Sequence, residues 1–193
     1  MANRGLLIVL SGPSGVGKGS IRRRLFMRED IDLSYSISMT TREPRNGEID
    51  GVDYFFVSQN EFKENIEKGN LLEYAKFVGN YYGTPKNYVE KLLNNGKNVF
   101  LEIEIEGARQ VVEKMKDAVT IYLMPPSIEE LERRIRGRRS EPEEVVKERM
   151  DKAKREIKSY TEYKYVVYND SLEKATDEIA NIILNEINKE EVL

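Results

Sequence analysis

The chain has 193 residues, 39% hydrophobic and 34% charged, with 31 Lys+Arg against 34 Asp+Glu for a net charge of −3. That length suits one domain with inserted lobes, large enough to need no metal or disulfide staple, and the charge balance supplies no overall pull towards nucleic acid or acidic membrane. Cysteine and histidine both number 0, which excludes disulfides, thiolate nucleophiles, Cys or His metal sites and the commonest general base; chemistry must run on carboxylates, Arg, Lys, hydroxyls, backbone amides or an oxygen-bound metal ion.

Short apolar runs alternate with amphipathic charged segments. Leu6–Leu10 reads as a buried strand, too short for a secretory or membrane segment, so the cytoplasm is the expected compartment. Lys18–Arg28 reads as a helix with Ile21 and Leu25 inward, and Tyr35–Ser38 as a strand candidate. The polar stretch Thr40–Asp53 is loop or hairpin material, and Tyr54–Val57 is strand-like. Ser58 with Glu61 forms a capping-box pattern that predicts a helix to about Lys68. Leu71–Val78 is a predicted strand, Gly79–Pro85 a turn, and Pro85–Asn94 a helix. Val99–Ile105 is a strand candidate that sets Glu102 and Glu104 on one face by its two-residue period, and Gly107–Met115 is a helix. Val119–Leu123 is a strand; Ser127 with Glu130 opens a second capped helix to about Arg136. Pro142–Ser159 is a long charged helix, Tyr165–Tyr168 a short strand, and Asp170–Asn188 the last amphipathic helix. Strands separated by helices predict an α/β fold, a parallel sheet with helices on both faces, which region 34–84 interrupts as an inserted lobe.

Ser11-Gly12-Pro13-Ser14-Gly15-Val16-Gly17-Lys18-Gly19-Ser20 matches the phosphate-loop pattern through the lysine, with a strand before it and a helix after. Its glycines let successive backbone N–H groups turn towards phosphate oxygens, the helix N-terminus adds partial positive charge, and Lys18 reaches the terminal phosphates. The bland alternative is a Gly-rich turn between strand and helix. A dinucleotide-binding pattern fails at its last position. Gly19 stands where the pattern expects Ser or Thr, so the usual metal-binding hydroxyl is missing and Ser20 comes one residue late. Arg42 and Arg45 flank a Pro-containing turn and are spaced to clamp an anion, although such residues are as often simply solvated.

Ser36–Arg45, followed by Gly47-Glu48 and Gly51-Val52-Asp53-Tyr54, resembles the signature of the guanylate kinase family, and Gly79-Asn80-Tyr81-Tyr82-Gly83-Thr84 resembles its second signature. Pro125-Pro126-Ser127, Gly137-Arg138 and Asn169-Asp170 follow in the expected order, so the resemblance covers nearly the whole chain. It implies ATP-dependent phosphorylation of GMP, and of dGMP, with Mg2+ and no obligate protein partner. It implies a core of residues 1–33, 85–128 and 159–193, a GMP-binding lobe of 34–84 and a lid of 129–158 that close over the substrates. Gly12, Pro13, Ser14, Gly15, Val16, Gly17, Lys18, Gly19, Ser20 and Asn169 would bind ATP. Ser38, Arg42, Arg45, Tyr54 and Tyr82 would hold the GMP phosphate, Glu73, Thr84 and Glu104 would read guanine, and Glu48 would help fix that site. Lys18, Arg42, Arg134, Arg138 and Arg149 would serve the transferring phosphoryl group, with Mg2+ held by phosphates, water, Ser20 and Glu102.

The sequence departs from the family at Glu104, where Asp is frequent, and at Gly137-Arg138-Arg139-Ser140, where Gly-Arg-Gly-Thr is usual. Two alternatives stay open: a kinase of similar fold acting on another phosphorylated acceptor, such as a ribose phosphate, and a catalytically inactive module that binds protein.

Overall fold

The computed structural model describes residues 4–137 and 142–191, so Arg138, Arg139 and Ser140 lie outside the described residues. The described chain divides into two compact units, one of residues 4–7, Leu33–Leu101 and Glu106–Ala118, the other of Ile8–Asp32, Glu102–Ile105 and residues 119–191. Region 34–84 falls inside the first unit and the described part of 129–158 inside the second, while residues of the expected core fall in both.

The second unit is built on three parallel strands. β1 (Leu7–Ser11) is buried at every position, as its unbroken apolar run requires when both faces are covered. It pairs with β8 (Val119–Met124), and β8 with β9 (Tyr165–Tyr168), all in parallel. Around them stand α1 (Lys18–Leu25), α5 (Ile128–Arg136), α6 (Glu143–Ile157) and α7 (Leu172–Glu191), with α1 packed on α7 and α5 on α6. Ser127 caps α5 by accepting from the Glu130 amide at 3.1 Å, as its capping pattern predicts. Tyr122, fully buried on β8, donates to the Glu156 carbonyl at 2.8 Å and so ties the end of α6 to the strand layer.

The first unit holds a parallel pair, β2 (Leu33–Tyr35) with β7 (Asn98–Glu102), and a separate four-stranded sheet. That sheet runs β4 (Phe55–Phe56), β3 (Met39–Thr40), β6 (Asn80–Pro85), β5 (Leu71–Phe77). Helices α2 (Gln59–Glu67), α3 (Lys86–Asn94) and α4 (Ile105–Lys114) complete the elements between them. Ser58 caps α2 through the Glu61 amide at 3.1 Å.

Three expectations need correction. Residues 80–85 form strand β6 rather than a turn, because the reversal is made by Val78 and Gly79 alone, both with positive φ (46° and 79°). Two such residues in sequence are what a tight hairpin needs. The first predicted strand after the loop helix ends at Tyr35, leaving Ser36 and Ser38 beyond it. β7 ends at Glu102, so Glu104 lies past the strand in the turn into α4, and the shared-face argument for the two carboxylates fails.

Candidate functional site

The loop between β1 and α1 wraps around its own lysine. Lys18 Nζ donates to the carbonyls of Gly12 (2.5 Å) and Pro13 (3.2 Å). Burial pushes the Lys18 pKa down, against the raising pull of Glu102, Glu104 and Glu156. No side chain fits at two of its glycines: a Cβ at Gly12 would stand 2.4 Å from the Leu123 carbonyl oxygen, and one at Gly17 (φ 106°) 2.7 Å from Asn169 Nδ2. Asn169 itself is buried and donates to the Val16 carbonyl at 2.8 Å, so it braces the loop from β9's far end.

An open cavity of about 280 Å³ lies beside this loop, lined by Ser14, Gly15, Gly17, Lys18, Gly19, Glu102, Ile103 and Glu104. Gly19 carries no hydroxyl, but a Cβ there would sit 3.6 Å from Glu102 Oε1, so a carboxylate stands where a side chain at 19 would point. Glu102 also pairs with Arg22 at 3.2 Å. Ser20 Oγ accepts from Arg23 at 3.3 Å.

Helices α5 and α6 bring arginines to the same unit. Arg134 donates to Glu130 (2.7 Å), to the Val16 carbonyl (3.2 Å) and to the Asn169 carbonyl (3.1 Å). Its planar fork therefore bridges the loop and the residue that braces it. Glu130, held by Arg133 and Arg134, has its pKa depressed to about 2. Arg149 donates to Ser14 Oγ at 3.0 Å. Lys152, one turn on, donates to Glu104 at 2.9 Å and lies 3.5 Å from Glu156. Burial pushes the Glu156 pKa up, with Lys152 and Lys18 pulling it the other way. Glu130, Lys152 and Glu156 were not among the residues picked from sequence. Their i,i+4 spacings to Arg134 and within α6 were visible, but Lys152 meeting Glu104 joins residues 48 apart.

In the other unit, Arg42 forms a two-pronged pair with Glu48 (2.9 and 2.8 Å) and donates to the Glu43 carbonyl at 2.7 Å. Glu48 also accepts from the Arg45 amide at 2.7 Å. Hydrogen bonding from Arg42 holds the Glu48 pKa below its usual range, and the partnership with Glu48 and Tyr82 raises that of Arg42. The Arg42 guanidinium lies 5.4 Å from the Tyr54 ring centre, and Tyr54 meets Tyr82 edge-on at 6.1 Å. Ser38 lies beside this group, its carbonyl accepting from the Phe55 amide at 2.9 Å. Arg45 is exposed.

Two residues along β6 from Tyr82, on the same strand face, Thr84 donates to Glu73 Oε1 at 2.6 Å. Both are buried, Thr84 at 0% and Glu73 at 7% exposure. This strand face therefore joins a cationic and aromatic end to a buried carboxylate end. The structure thus brings together Arg42, Glu48, Tyr54 and Tyr82, and separately Glu73 and Thr84. Glu104 belongs to the loop unit, its side chain 64% exposed and held by Lys152. Among the described residues there is no cluster of three acidic side chains that would cage a metal, and no helix is long and apolar enough to cross a membrane.

A family model described as guanylate kinase matches residues 4–186. Guanylate kinase from Bacillus cereus is 56% identical over 96% of this chain and 90% of its own length. Guanylate kinase from Enterococcus faecalis is 54% identical over 96% and 91%. Among solved structures, guanylate kinase from Anaplasma phagocytophilum aligns with a TM-score of 0.73 at 33% identity, covering 95% of this chain and 87% of that one.

Proposed function

The chain belongs to the guanylate kinase family, and from that premise we propose that it transfers the γ-phosphoryl group of ATP to GMP, yielding ADP and GDP. The observation that carries the acceptor assignment is the buried Glu73–Thr84 pair on one strand face with Tyr82, which neighbours Arg42. Guanine presents N1–H and N2–H₂ side by side, and a carboxylate accepts from both. Adenine offers an acceptor at N1, which would leave a buried carboxylate unpaired and is disfavoured for that reason. The resemblance also implies a base contact for Glu104, which Lys152 holds in the loop unit. Ser38, Arg42, Arg45, Tyr54 and Tyr82 take the phosphate, and Glu48 orients Arg42 for it. dGMP is proposed as a further acceptor.

On the donor side, the loop Gly12–Ser20 with Asn169 holds ATP. Binding of phosphates replaces the Gly12 and Pro13 carbonyls at Lys18 Nζ with charged acceptors. The acceptor oxygen of GMP needs no general base, because a nucleotide phosphate with a second pKa near 6 is already ionised at neutral pH. That oxygen attacks the γ-phosphorus. The bond from phosphorus to the β,γ-bridging oxygen breaks, and its electron pair leaves on ADP. Lys18, Arg134, Arg138 and Arg149 neutralise charge on the transferring group. This division of labour suits a chain without histidine.

Glu102 beside Gly19 offers a hard oxygen donor next to the loop, which fits Mg2+ bound chiefly through phosphates and water. Glu102 and Ser20 are the residues assigned to it, and the ion would supply further neutralisation of phosphate charge. ATP and GMP are the partners, and the cytoplasm is the proposed compartment.

An assay of ADP release with GMP, dGMP, AMP, UMP, CMP and IMP as acceptors tests the reading. GMP is expected to give the highest kcat/KM. Turnover of another acceptor without turnover of GMP overturns it.

A further inference from the structure

Two side chains and a glycine on one face of α4 meet the strand that carries Glu73. Residues 107, 110 and 114 are spaced by three and four, so they share that face. A Cβ at Gly107 would stand 2.8 Å from Glu73 Oε2 and 3.4 Å from its Cδ. The side-chain amide of Gln110 accepts from the Tyr74 N–H and donates to the Tyr74 carbonyl, each at 3.1 Å. Lys114 Nζ donates to the carbonyls of Leu71 (2.8 Å) and Leu72 (2.9 Å).

β5 is the last strand of its sheet, so its outer backbone groups have no strand partner there. Gln110 pairs both groups of Tyr74 as a neighbouring strand would. An amide is the side chain that presents one donor and one acceptor at peptide-like spacing. The β5–β6 register also slips between Leu71 and Glu73. Such irregularities re-aim the side chain that follows, and Lys114 holds the two carbonyls at the slip. Glu73 thus has Thr84 on one oxygen, Gly107 against the other, and its strand pinned on both sides.

We propose that Gln110 and Gly107 are positioning residues for base recognition: α4 sets where the Glu73 carboxylate stands, and thereby how strongly the site prefers a base with a 2-amino group. The inference rests on the reading that Glu73 takes guanine. Hypoxanthine keeps N1–H but lacks the 2-amino group, so the ratio of kcat/KM for GMP to that for IMP reports the carboxylate's placement.

The variants are Gln110→Ala and Gly107→Ala; alanine is a better helix former than glycine, so α4 is retained in the second. With the full chain and saturating ATP, each is expected to lower the GMP-to-IMP ratio about fivefold or more, the size of one weakened hydrogen bond. KM for GMP should rise, while kcat stays within about twofold and KM for ATP is unchanged. An unchanged ratio in both variants, with only a lower melting temperature or a uniform loss of rate, makes these contacts structural and overturns the inference alone. Failure of both variants to fold counts the same way. Absence of GMP turnover in the unsubstituted chain overturns the functional reading and this inference with it.

Discussion

Replacing Thr84 with Val removes a hydroxyl and keeps the volume. The lost bond is a 2.6 Å donation to a carboxylate, with Thr84 at 0% and Glu73 at 7% exposure. Hydrogen bonds to charged groups contribute about 1.5–3 kcal/mol. The exposed fraction of Glu73 lets water recover part of that, so the lower half, about 1.5–2 kcal/mol, is the expected loss of stability. For a chain of this size each kcal/mol is about 2–4 °C, which gives a fall in Tm of about 3–8 °C. A second cost falls on GMP. On the proposed reading, a carboxylate held less firmly without Thr84 must be immobilised further when the base binds, at up to about 0.5–1.5 kcal/mol for such a side chain. KM for GMP should then rise about two- to twelvefold, with kcat and KM for ATP unchanged. Thr84→Ser keeps the donor and should behave like the parent. The measurements are a thermal melt and steady-state kinetics with both substrates varied. A Thr84→Val protein with unaltered Tm and unaltered KM for GMP would refute the reasoning, because the Thr84–Glu73 hydrogen bond would then contribute neither rigidity nor recognition.

Lys18→Met keeps the aliphatic stem and removes the ammonium, so kcat should fall about a thousandfold or more. Because burial already works against the Lys18 charge, the melting temperature without nucleotide should hold or rise; activity within tenfold of the parent would count against the loop assignment. Glu186 on α7 is buried among Lys164, Lys189 and Tyr165. Burial alone would push its pKa up, but these three partners outweigh it and hold the pKa at about 2, below the ordinary value of about 4.3. A depressed pKa stabilises the fold above the unfolded value and loses that contribution as pH falls from about 4.3 to about 2. Glu186→Gln should therefore flatten the acid limb of stability, and a steeper limb in urea titrations across that range would disprove the linkage. Val78 is β-branched with φ 46° and 80% exposed. Val78→Asn should relieve about 1 kcal/mol of strain and raise Tm by about 2–4 °C without changing either KM; a drop in Tm would show that the turn is not strained.

What was legible in the sequence was what neighbouring residues decide among themselves. The loop Gly12–Ser20 is one such case, because its tight turn needs only glycines at the positive-φ positions and a following helix. Ser58 and Ser127 cap their helices from three residues away. Arg42 and Glu48, six apart, find each other across a single turn. The hairpin at Val78-Gly79 was misread because a valine with positive φ violates the local preference that sequence reading relies on.

By itself, then, the sequence determined the strand–loop–helix unit with Lys18, the capped helices and the signature segments that carry the family. Only the tertiary structure decided what surrounds the chemistry. Lys152 takes Glu104 from 48 residues away, and Gln110 clamps Tyr74 from 36 away. Gly12 and Gly107 are required by a carbonyl on β8 and a carboxylate on β5. These choices depend on which backbone or side-chain atom a distant element brings within about 3 Å. No local propensity encodes that distance, because it is set when the layers pack.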